Sequence, residues 1–318
     1  MTHTDDAYTY MLLTLSLTPD GSAEAKPLSP EEMCALAAKL DVNSRAHISR
    51  LLNMDVSGFM KHLGVNEDFA YRLYVLLRRD ALLSKLIDDC LEKSTEIVTP
   101  FDKDYPRSLI TRLGAMAAPP LFVRGYLSIL GADNVGIMGL SGLKTPKNIE
   151  EGIKKLIWEV APGGFGLVTG GEPGASRFVR SEAFENDARI SILLPGGLNA
   201  YCETEEIATA LEEGCVCIAS AAHPDSSENA TEIAERNKLI FALSNAAFVA
   251  TTDGKRGEIE AVRRHLCDYT YVFDAPELSG NAFIAARGFE TVKSVSEMDM
   301  ASLMSLWAGA RCEQLSFL

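Results

Sequence analysis

Two apolar stretches that end in glycine, Val135-Gly136-Ile137-Met138-Gly139 and Gly166-Leu167-Val168-Thr169-Gly170-Gly171, decide the fold. Val135–Met138 and Gly166–Thr169 have the length and composition of buried strands, and residues 148–160 between them have the spacing of a helix. Further apolar runs that alternate with helical segments lie at 190–194, 216–219, 248–251 and 271–273. Strands alternating with helices form a parallel sheet covered on both faces. The sequence therefore predicts an α/β class, with a doubly wound, mostly parallel sheet.

The region before this alternation is helical. Ser29-Pro30-Glu31-Glu32 has the composition of a helix start, with serine as the cap, proline at the first position and acids in the first turn. Helical spacing continues to about Lys93. We therefore expect a small all-helical domain over residues 1–95, the α/β domain over 96–297, and a C-terminal helix and tail over 298–318.

The composition is that of a soluble globular protein. The chain has 318 residues, of which 47% are hydrophobic and 23% charged. Its seven cysteines are scattered and include no CxxC pair, so we expect neither a disulfide framework nor a metal site. The N-terminus lacks the pattern of a secretory leader, and no window approaches the ~20 apolar residues of a membrane span. These features predict a cytoplasmic protein without membrane contact.

The charge balance opposes a surface that attracts nucleic acid everywhere. Thirty basic residues against 44 acidic ones give a net charge of −14, with a pI near 4.9. Non-specific binding to phosphate depends on positive potential. A local basic groove remains compatible with this balance.

Glycines follow the ends of three predicted strands. They lie at Gly139, at Gly170, Gly171 and Gly174, and at Gly196 and Gly197. Such turns let backbone amides and a helix N-terminus face an anion, although any tight turn also favours glycine. We predict that Gly170, Gly171 and Gly174 allow a phosphate-bearing ligand to approach the backbone.

Five motifs then follow one another along the chain. They are Thr99-Pro100-Phe101-Asp102-Lys103-Asp104-Tyr105-Pro106, Pro119-Pro120-Leu121-Phe122-Val123-Arg124-Gly125, Glu235-Arg236-Asn237-Lys238-Leu239-Ile240-Phe241-Ala242-Leu243-Ser244, Lys255-Arg256-Gly257 and Gly280-Asn281-Ala282-Phe283-Ile284. Their order and spacing resemble the DprA/Smf family of DNA-processing proteins over roughly residues 97–297.

This resemblance implies a Rossmann-like domain that binds single-stranded DNA in a basic pocket, without catalysis or a cofactor. It also implies self-association, as a homodimer, and help in loading a RecA-type recombinase during DNA recombination and natural transformation. The residues expected to contact DNA or phosphate are Lys144, Gly170, Gly171, Gly174, Arg236, Asn237, Lys238, Lys255 and Arg256.

Three positions depart from the family pattern. The arginine expected soon after Gly139 is missing, and Lys144 is the nearest base. Ser176 and Arg180 replace an aspartate and a histidine, and Arg256 replaces a serine. The chain is thus similar to a divergent member.

Several candidate residues have a structural alternative. Arg236 and Lys238 are expected near the start of a helix, where either a bound anion or a neighbouring acid, Glu232 or Glu235, would balance their charge. Phe178 and Tyr201 are candidates for stacking on bases, with core packing as the alternative.

Two other functions stay open. Pro195-Gly196-Gly197 with Glu203 resembles part of a motif of nucleotide phosphoribohydrolases, so the chain could bind a small nucleotide or phosphorylated ligand, or cleave one. The missing arginine also fits a protein-interaction module that has lost its ligand.

The last residues, Gln314-Leu315-Ser316-Phe317-Leu318, resemble the short peptide with which bacterial proteins bind the DNA-polymerase sliding clamp. A glutamine followed by spaced apolar residues suits a surface groove. We predict a partner-docking tail with Gln314, Leu315, Phe317 and Leu318 as its contacts; the alternative is a tail that folds back onto its own domain.

Overall fold

A computed structural model describes residues 3–21, 25–40, 47–139, 142–255 and 264–315. Packing divides the chain into two units. The first comprises Met1–Arg124, Gly196–Ala200 and Ser220–Ser227, and the second comprises Gly125–Pro195, Tyr201–Ala219 and Glu228–Leu318. The boundary expected at residues 95 and 96 remains a prediction about which segment folds by itself.

The first unit is mainly helical, as predicted. Its elements are α1 (Asp5–Thr14), α2 (Pro30–Lys39), a 3-10 helix (Ile48–Asn53), α3 (Val56–Leu63), α4 (Glu67–Leu76), α5 (Asp80–Glu92), β1 (Glu96–Val98), α6 (Arg107–Leu113) and β2 (Leu121–Gly125). The predicted start of α2 is confirmed, because Ser29 and Glu32 form a reciprocal capping box. Strands β1 and β2 pair antiparallel, with Ile97 opposite Phe122.

The core of the first unit forms around α1. Tyr10, Met11, Leu12 and Leu13 are all buried, so this helix has apolar contacts on most of its circumference. The Tyr10 hydroxyl donates a hydrogen bond to the Ala118 carbonyl at 2.8 Å. That bond satisfies the one polar atom of a large buried side chain.

The second unit contains the α/β alternation. Its elements are α7 (Leu127–Leu130), β3 (Asn134–Gly139), α8 (Lys147–Val160), β4 (Gly166–Gly170), α9 (Ala175–Glu185), β5 (Ile190–Leu194), α10 (Asn199–Cys202), α11 (Glu205–Glu213), β6 (Val216–Ser220), α12 (Ala230–Leu243), β7 (Ala246–Thr251), β8 (Tyr269–Phe273), α13 (Ser279–Ala285), β9 (Glu290–Val292), a 3-10 helix (Val295–Glu297) and α14 (Met300–Leu315).

The sheet of this unit runs in the order β6-β5-β4-β3-β7-β8-β9. The pairs β3–β4, β4–β5, β3–β7, β7–β8 and β8–β9 are parallel. From β3, the next strands in the chain, β4 to β6, are added on one side, and the later strands, β7 to β9, are added on the other side. The strand order therefore reverses between β3 and β7. Such a reversal opens a crevice outside the carboxyl ends of the two strands, where ligands bind in folds of this kind. The predicted doubly wound, mostly parallel sheet is confirmed.

Burial explains why the strands are almost entirely apolar. Every residue of β3, β4, β5 and β7 is buried, because helices cover the sheet. Helix α12 contacts all four of these strands, and α9 contacts β3 and β4. The two helices thereby place their polar residues against the ends of the central strands.

The C-terminal helix belongs to the second unit. Trp307 is fully buried, with its ring 6.0 Å from those of Phe248 and Tyr271 and 6.1 Å from that of Phe165. Asn245 Nδ2 also donates a hydrogen bond to the Trp307 carbonyl at 3.1 Å. Across the described ranges, no helix is both long and apolar enough to cross a membrane.

Candidate functional site

The second glycine loop joins β4 to α9 at the carboxyl edge of the sheet. Gly174 has φ of +99°, a conformation that favours glycine, and directly precedes α9. A Cβ at Gly170 would overlap the guanidinium of Arg236 and the carboxylate of Glu172, and one at Gly171 would overlap Leu194. These glycines therefore let the protein's own side chains lie against the backbone.

Arg236 is the buried cation of this region. It is 4% exposed and lies in the second turn of α12, which begins at Ala230. The expectation that Arg236 lies at the helix start was wrong, because Asn229, seven residues earlier, caps the helix in a capping box with Glu232. Arg236 Nη1 is 2.5 Å from Glu172 Oε2 and also donates to the Leu193 carbonyl at 3.2 Å.

Glu172 thus supplies the acid that balances Arg236. Its other oxygen, Oε1, accepts a hydrogen bond from Ser176 Oγ at 3.1 Å. The sequence left open whether Arg236 meets a bound anion or a neighbouring acid. The structure shows an ion pair, and its acid is neither Glu232 nor Glu235. Glu172 was missed because it is 64 residues away in the chain.

Lys238 and Asn237 follow Arg236 on the same helix. Lys238 Nζ is 2.7 Å from Glu235 Oε1, so its charge is balanced by one of the acids that the sequence singled out. Asn237 is buried. The Glu235–Ser244 motif therefore has a packing role within α12, and it also places Arg236 against the end of β5.

Lys144 and Lys255 lie beyond the two strands at which the chain order reverses. Lys144 follows β3 and Lys255 follows β7, and both are exposed. The last residues of these strands, Gly139 and Thr251, are partners in the sheet register. In the part of the chain that the structure describes, neither lysine side chain has an ion-pair partner. Arg256 lies outside the described residues.

The Gly280-Asn281 motif supports the loop that carries Lys255. Asn281 Nδ2 donates to the carbonyls of Ala250 at 2.9 Å and Phe273 at 3.1 Å, and its Oδ1 accepts from the Thr252 amide at 3.0 Å. A Cβ at Gly280 would overlap the Thr252 carbonyl. The sequence predicts no role for the individual residues of this motif, and the hydrogen bonds of Asn281 show a structural one.

The residues after the second glycine loop are divided between surface and interior. Arg180 is buried, and its guanidinium donates to Tyr201 Oη at 2.8 Å and to Glu206 Oε2 at 3.1 Å. Burial raises the pKa of Tyr201, and the charge of Arg180 opposes that rise. Arg177 is exposed and Phe178 half-buried. Tyr201 is thus held by Arg180, and its role as a stacking platform remains a prediction.

The third glycine loop belongs to the first unit. The Gly197 amide donates to the Ser226 carbonyl at 2.9 Å, and a Cβ at Gly197 would overlap Pro224. Asn199 accepts from Arg124 at 2.8 Å and donates to Asp225 at 2.6 Å. Close contact with the 220–227 segment accounts for this glycine without a bound anion.

The C-terminal tail continues from α14. Gln314 and Leu315 lie in the last turn of α14, and Phe317 and Leu318 lie outside the described residues.

The described ranges contain no group of three or more His, Cys, Asp or Glu side chains that could hold a metal ion.

Residues 96–298 match the model of the family described as DNA recombination-mediator protein A. No curated protein sequence matches the chain significantly. Among solved structures, DNA processing protein A from Streptococcus pneumoniae superposes with a TM-score of 0.65 and 18% identity, covering 94% of this chain and 99% of that one.

A second structure, DNA processing protein A from Helicobacter pylori, has a TM-score of 0.51 and 18% identity, covering 68% of this chain and 96% of that one. Its published description concerns a single-stranded DNA binding mode. At these identities the two likenesses establish the fold, and the family match is independent of them.

Proposed function

This chain belongs to the family of DNA recombination-mediator protein A, and we propose that it performs this mediator role by binding single-stranded DNA at the carboxyl edge of its parallel sheet. The Helicobacter pylori relative, described as binding single-stranded DNA, supports this ligand. Mediators of this family act by binding and not by catalysis, so the chain is not an enzyme.

One observation carries the proposed location. Lys144 and Lys255 lie beyond the two adjacent strands where the sheet order reverses, and both are exposed. Each can give its full charge to a phosphate, since neither has an acidic partner within the described ranges. In a chain with net charge −14, two exposed lysines that have no acidic partner among the described residues provide a local site for a polyanion beside this crevice.

We assign the other described candidate residues, all of them except Arg256, to the floor of this proposed site. Gly170 lets the β4–α9 turn lie close to Arg236 of α12, and Gly171 and Gly174 belong to the same turn. Asn237 and Lys238 continue along the helix. Since Arg236 and Lys238 already have acidic partners, we expect Lys144 and Lys255 to make the first contacts with DNA.

The partners named by resemblance remain proposals. They are a RecA-type recombinase, a second copy of the chain in a homodimer, and a sliding clamp bound by the residues from Gln314 onwards.

A ligand with a single phosphate is the second candidate. The pairing of Arg236 with Glu172 and of Lys238 with Glu235 leaves fewer free cations than a long polyanion would use. The net charge of −14 favours this alternative as well. A small nucleotide would need only the contacts around one glycine turn.

The deciding experiment is fluorescence anisotropy of labelled single-stranded and duplex oligonucleotides, titrated with the full chain at several salt concentrations. We expect tighter binding of the single strand, with an affinity that falls as salt rises. Absence of binding at low salt would contradict the DNA proposal. A rise in melting temperature with nucleotides alone would then support the second candidate.

A further inference from the structure

Glu172 is surrounded by the groups that a phosphate would meet in a turn of this kind. Arg236 Nη1 lies 2.5 Å from one carboxylate oxygen, and Ser176 Oγ donates to the other at 3.1 Å. Ser176 is in the first turn of α9, an 11-residue helix that directly follows the glycine loop. A guanidinium, a hydroxyl and a helix N-terminus together form an anion site.

Arg236 retains unused donor capacity at this place. Its Nε is buried and, among the described residues, has no hydrogen-bond partner. A carboxylate that takes only Nη1 therefore leaves part of the guanidinium fork unsatisfied. A phosphate, with more oxygens, could accept from more of the fork.

The two members of the ion pair differ in how firmly they are held. The side chain of Arg236 is 5% exposed and is also bonded to the Leu193 carbonyl of β5. The side chain of Glu172 is 13% exposed and belongs to a loop. Glu172 is therefore the partner that can swing out towards solvent, while the arginine stays in place.

The geometry points to Glu172 as an internal occupant of the anion position: its carboxylate holds the place beside Arg236 that a DNA phosphate would take, and so limits how tightly this chain binds phosphate. This inference rests on the proposed function for the identity of the ligand. It assigns Arg236 as a phosphate contact that becomes available only when Glu172 leaves.

The consequence is a competition within the molecule. A phosphate that approaches Arg236 meets a negative charge already bound there, and like charges at this distance oppose each other strongly. Replacing Glu172 by glutamine keeps the shape of the side chain and removes its charge. We expect E172Q to bind single-stranded DNA about tenfold more tightly at low salt.

Salt dependence gives a second readout that a change in packing would not produce. If Arg236 contacts one additional DNA phosphate in E172Q, the slope of log affinity against log salt should steepen by about 0.7. The matched control is E159Q, which removes the same charge from the exposed Lys155–Glu159 pair on α8. We expect E159Q to bind like the wild type and with the same slope.

Inorganic phosphate tests the anion position without DNA. We expect phosphate to raise the melting temperature of E172Q more than that of the wild type or of E172Q/R236Q, in which the cation is also absent. E172A, which removes the carboxylate and leaves both Ser176 and Arg236 in place, should give a gain in DNA affinity similar to that of E172Q. This variant decides the question if E172Q fails to fold.

The outcomes separate this inference from the proposed function. Tighter DNA binding by E172Q with a steeper slope supports both. Stabilisation of E172Q by phosphate, with no DNA binding by any variant, supports the inference and contradicts the DNA proposal. If wild type binds DNA while E172Q and E172A bind equally well or more weakly, and phosphate stabilises none of them, Glu172 is a structural partner of Arg236 and the inference is wrong.

Discussion

Gly139 and Thr251 are register partners at the carboxyl ends of β3 and β7, the two adjacent parallel strands at which the sheet order reverses. The loops that leave these residues carry Lys144 and Lys255. A pairing between positions 112 residues apart in sequence thus brings two exposed lysines to the same edge of the sheet.

Removing both lysines tests this arrangement. We expect K144Q/K255Q to bind single-stranded DNA about tenfold more weakly, and its slope of log affinity against log salt to fall by about 1.4, or 0.7 for each lost phosphate contact. Anisotropy titrations at several salt concentrations measure both quantities. K61Q/K85Q, which removes one exposed lysine each from α3 and α5, is the control with the same change of charge, and equal losses in this variant would show that only net charge matters.

Asn281 is predicted to be a structural residue. N281A leaves the Ala250 and Phe273 carbonyls and the Thr252 amide without their partner, which should lower the free energy of unfolding by about 1–3 kcal/mol. Hydrogen exchange of the Thr252 amide should also become faster. Denaturant unfolding and exchange measurements test this, with N148A on the exposed face of α8 as the control. Unchanged exchange at Thr252 would contradict the assigned role.

Trp307 should be one of the larger single contributors to the second unit. W307A removes a fully buried ring from the cluster with Phe165, Phe248 and Tyr271, so we expect a loss of about 3–5 kcal/mol in unfolding free energy. L306A changes a neighbouring side chain that is 49% exposed, and its free energy of unfolding should stay within about 0.5 kcal/mol of the wild-type value. Similar losses in both variants would mean that α14 does not dock through Trp307.

Gly139 is needed for close packing between β3 and α9. An added Cβ would overlap the Ala175 side chain and lie 3.2 Å from Thr251 Oγ1. G139A should therefore lower the free energy of unfolding by about 1–3 kcal/mol. At Gly131 the nearest atom, the Leu127 carbonyl oxygen, is 3.9 Å away, and φ is −85°. G131A should therefore be neutral or slightly stabilising, as thermal unfolding of the two variants can show. A neutral G139A would imply that α9 shifts freely.

Acid should weaken the first unit through Glu32. The hydrogen bond from Arg72 holds the pKa of Glu32 below its ordinary value of 4.5, although partial burial opposes this. A carboxyl with a lowered pKa stabilises the fold above its unfolded value, and that stabilisation is lost as pH falls through the folded value. Since Glu32 is partly exposed, solvent screening limits the contribution to about 0.5 kcal/mol.

Urea unfolding of E32Q and wild type tests this prediction at about pH 7 and about pH 3. E32Q should be less stable than the wild type at the higher pH, and the difference should shrink at the lower pH. E67Q, which removes an exposed acid of α4, should follow the wild type. A difference that stays constant between the two pH values would exclude the Arg72 pair as its origin.

Much of the fold is predictable from local sequence. The β5 strand at Ile190–Leu194, the capped start of α2 at Ser29 and the alternation of strands and helices depend on residues close together in the chain. Side-chain periodicity and backbone capping are local effects, so the sequence carries them directly. The same reasoning placed Lys144 and Lys255 just beyond strand ends, and the family resemblance rested on motifs in chain order.

The electrostatics of the candidate site depended on tertiary structure. The sequence offered Glu232 and Glu235 as partners for Arg236, whereas the folded chain pairs Arg236 with Glu172 and uses Glu232 to cap α12. Local sequence determined that a buried-strand sheet would form and where its loops would fall. Only the packing of α12 against the ends of β4 and β5 decided that Arg236 meets Glu172. The physical reason is that a buried charge pairs with an opposite charge a few ångströms away, however far apart the two residues are in the chain.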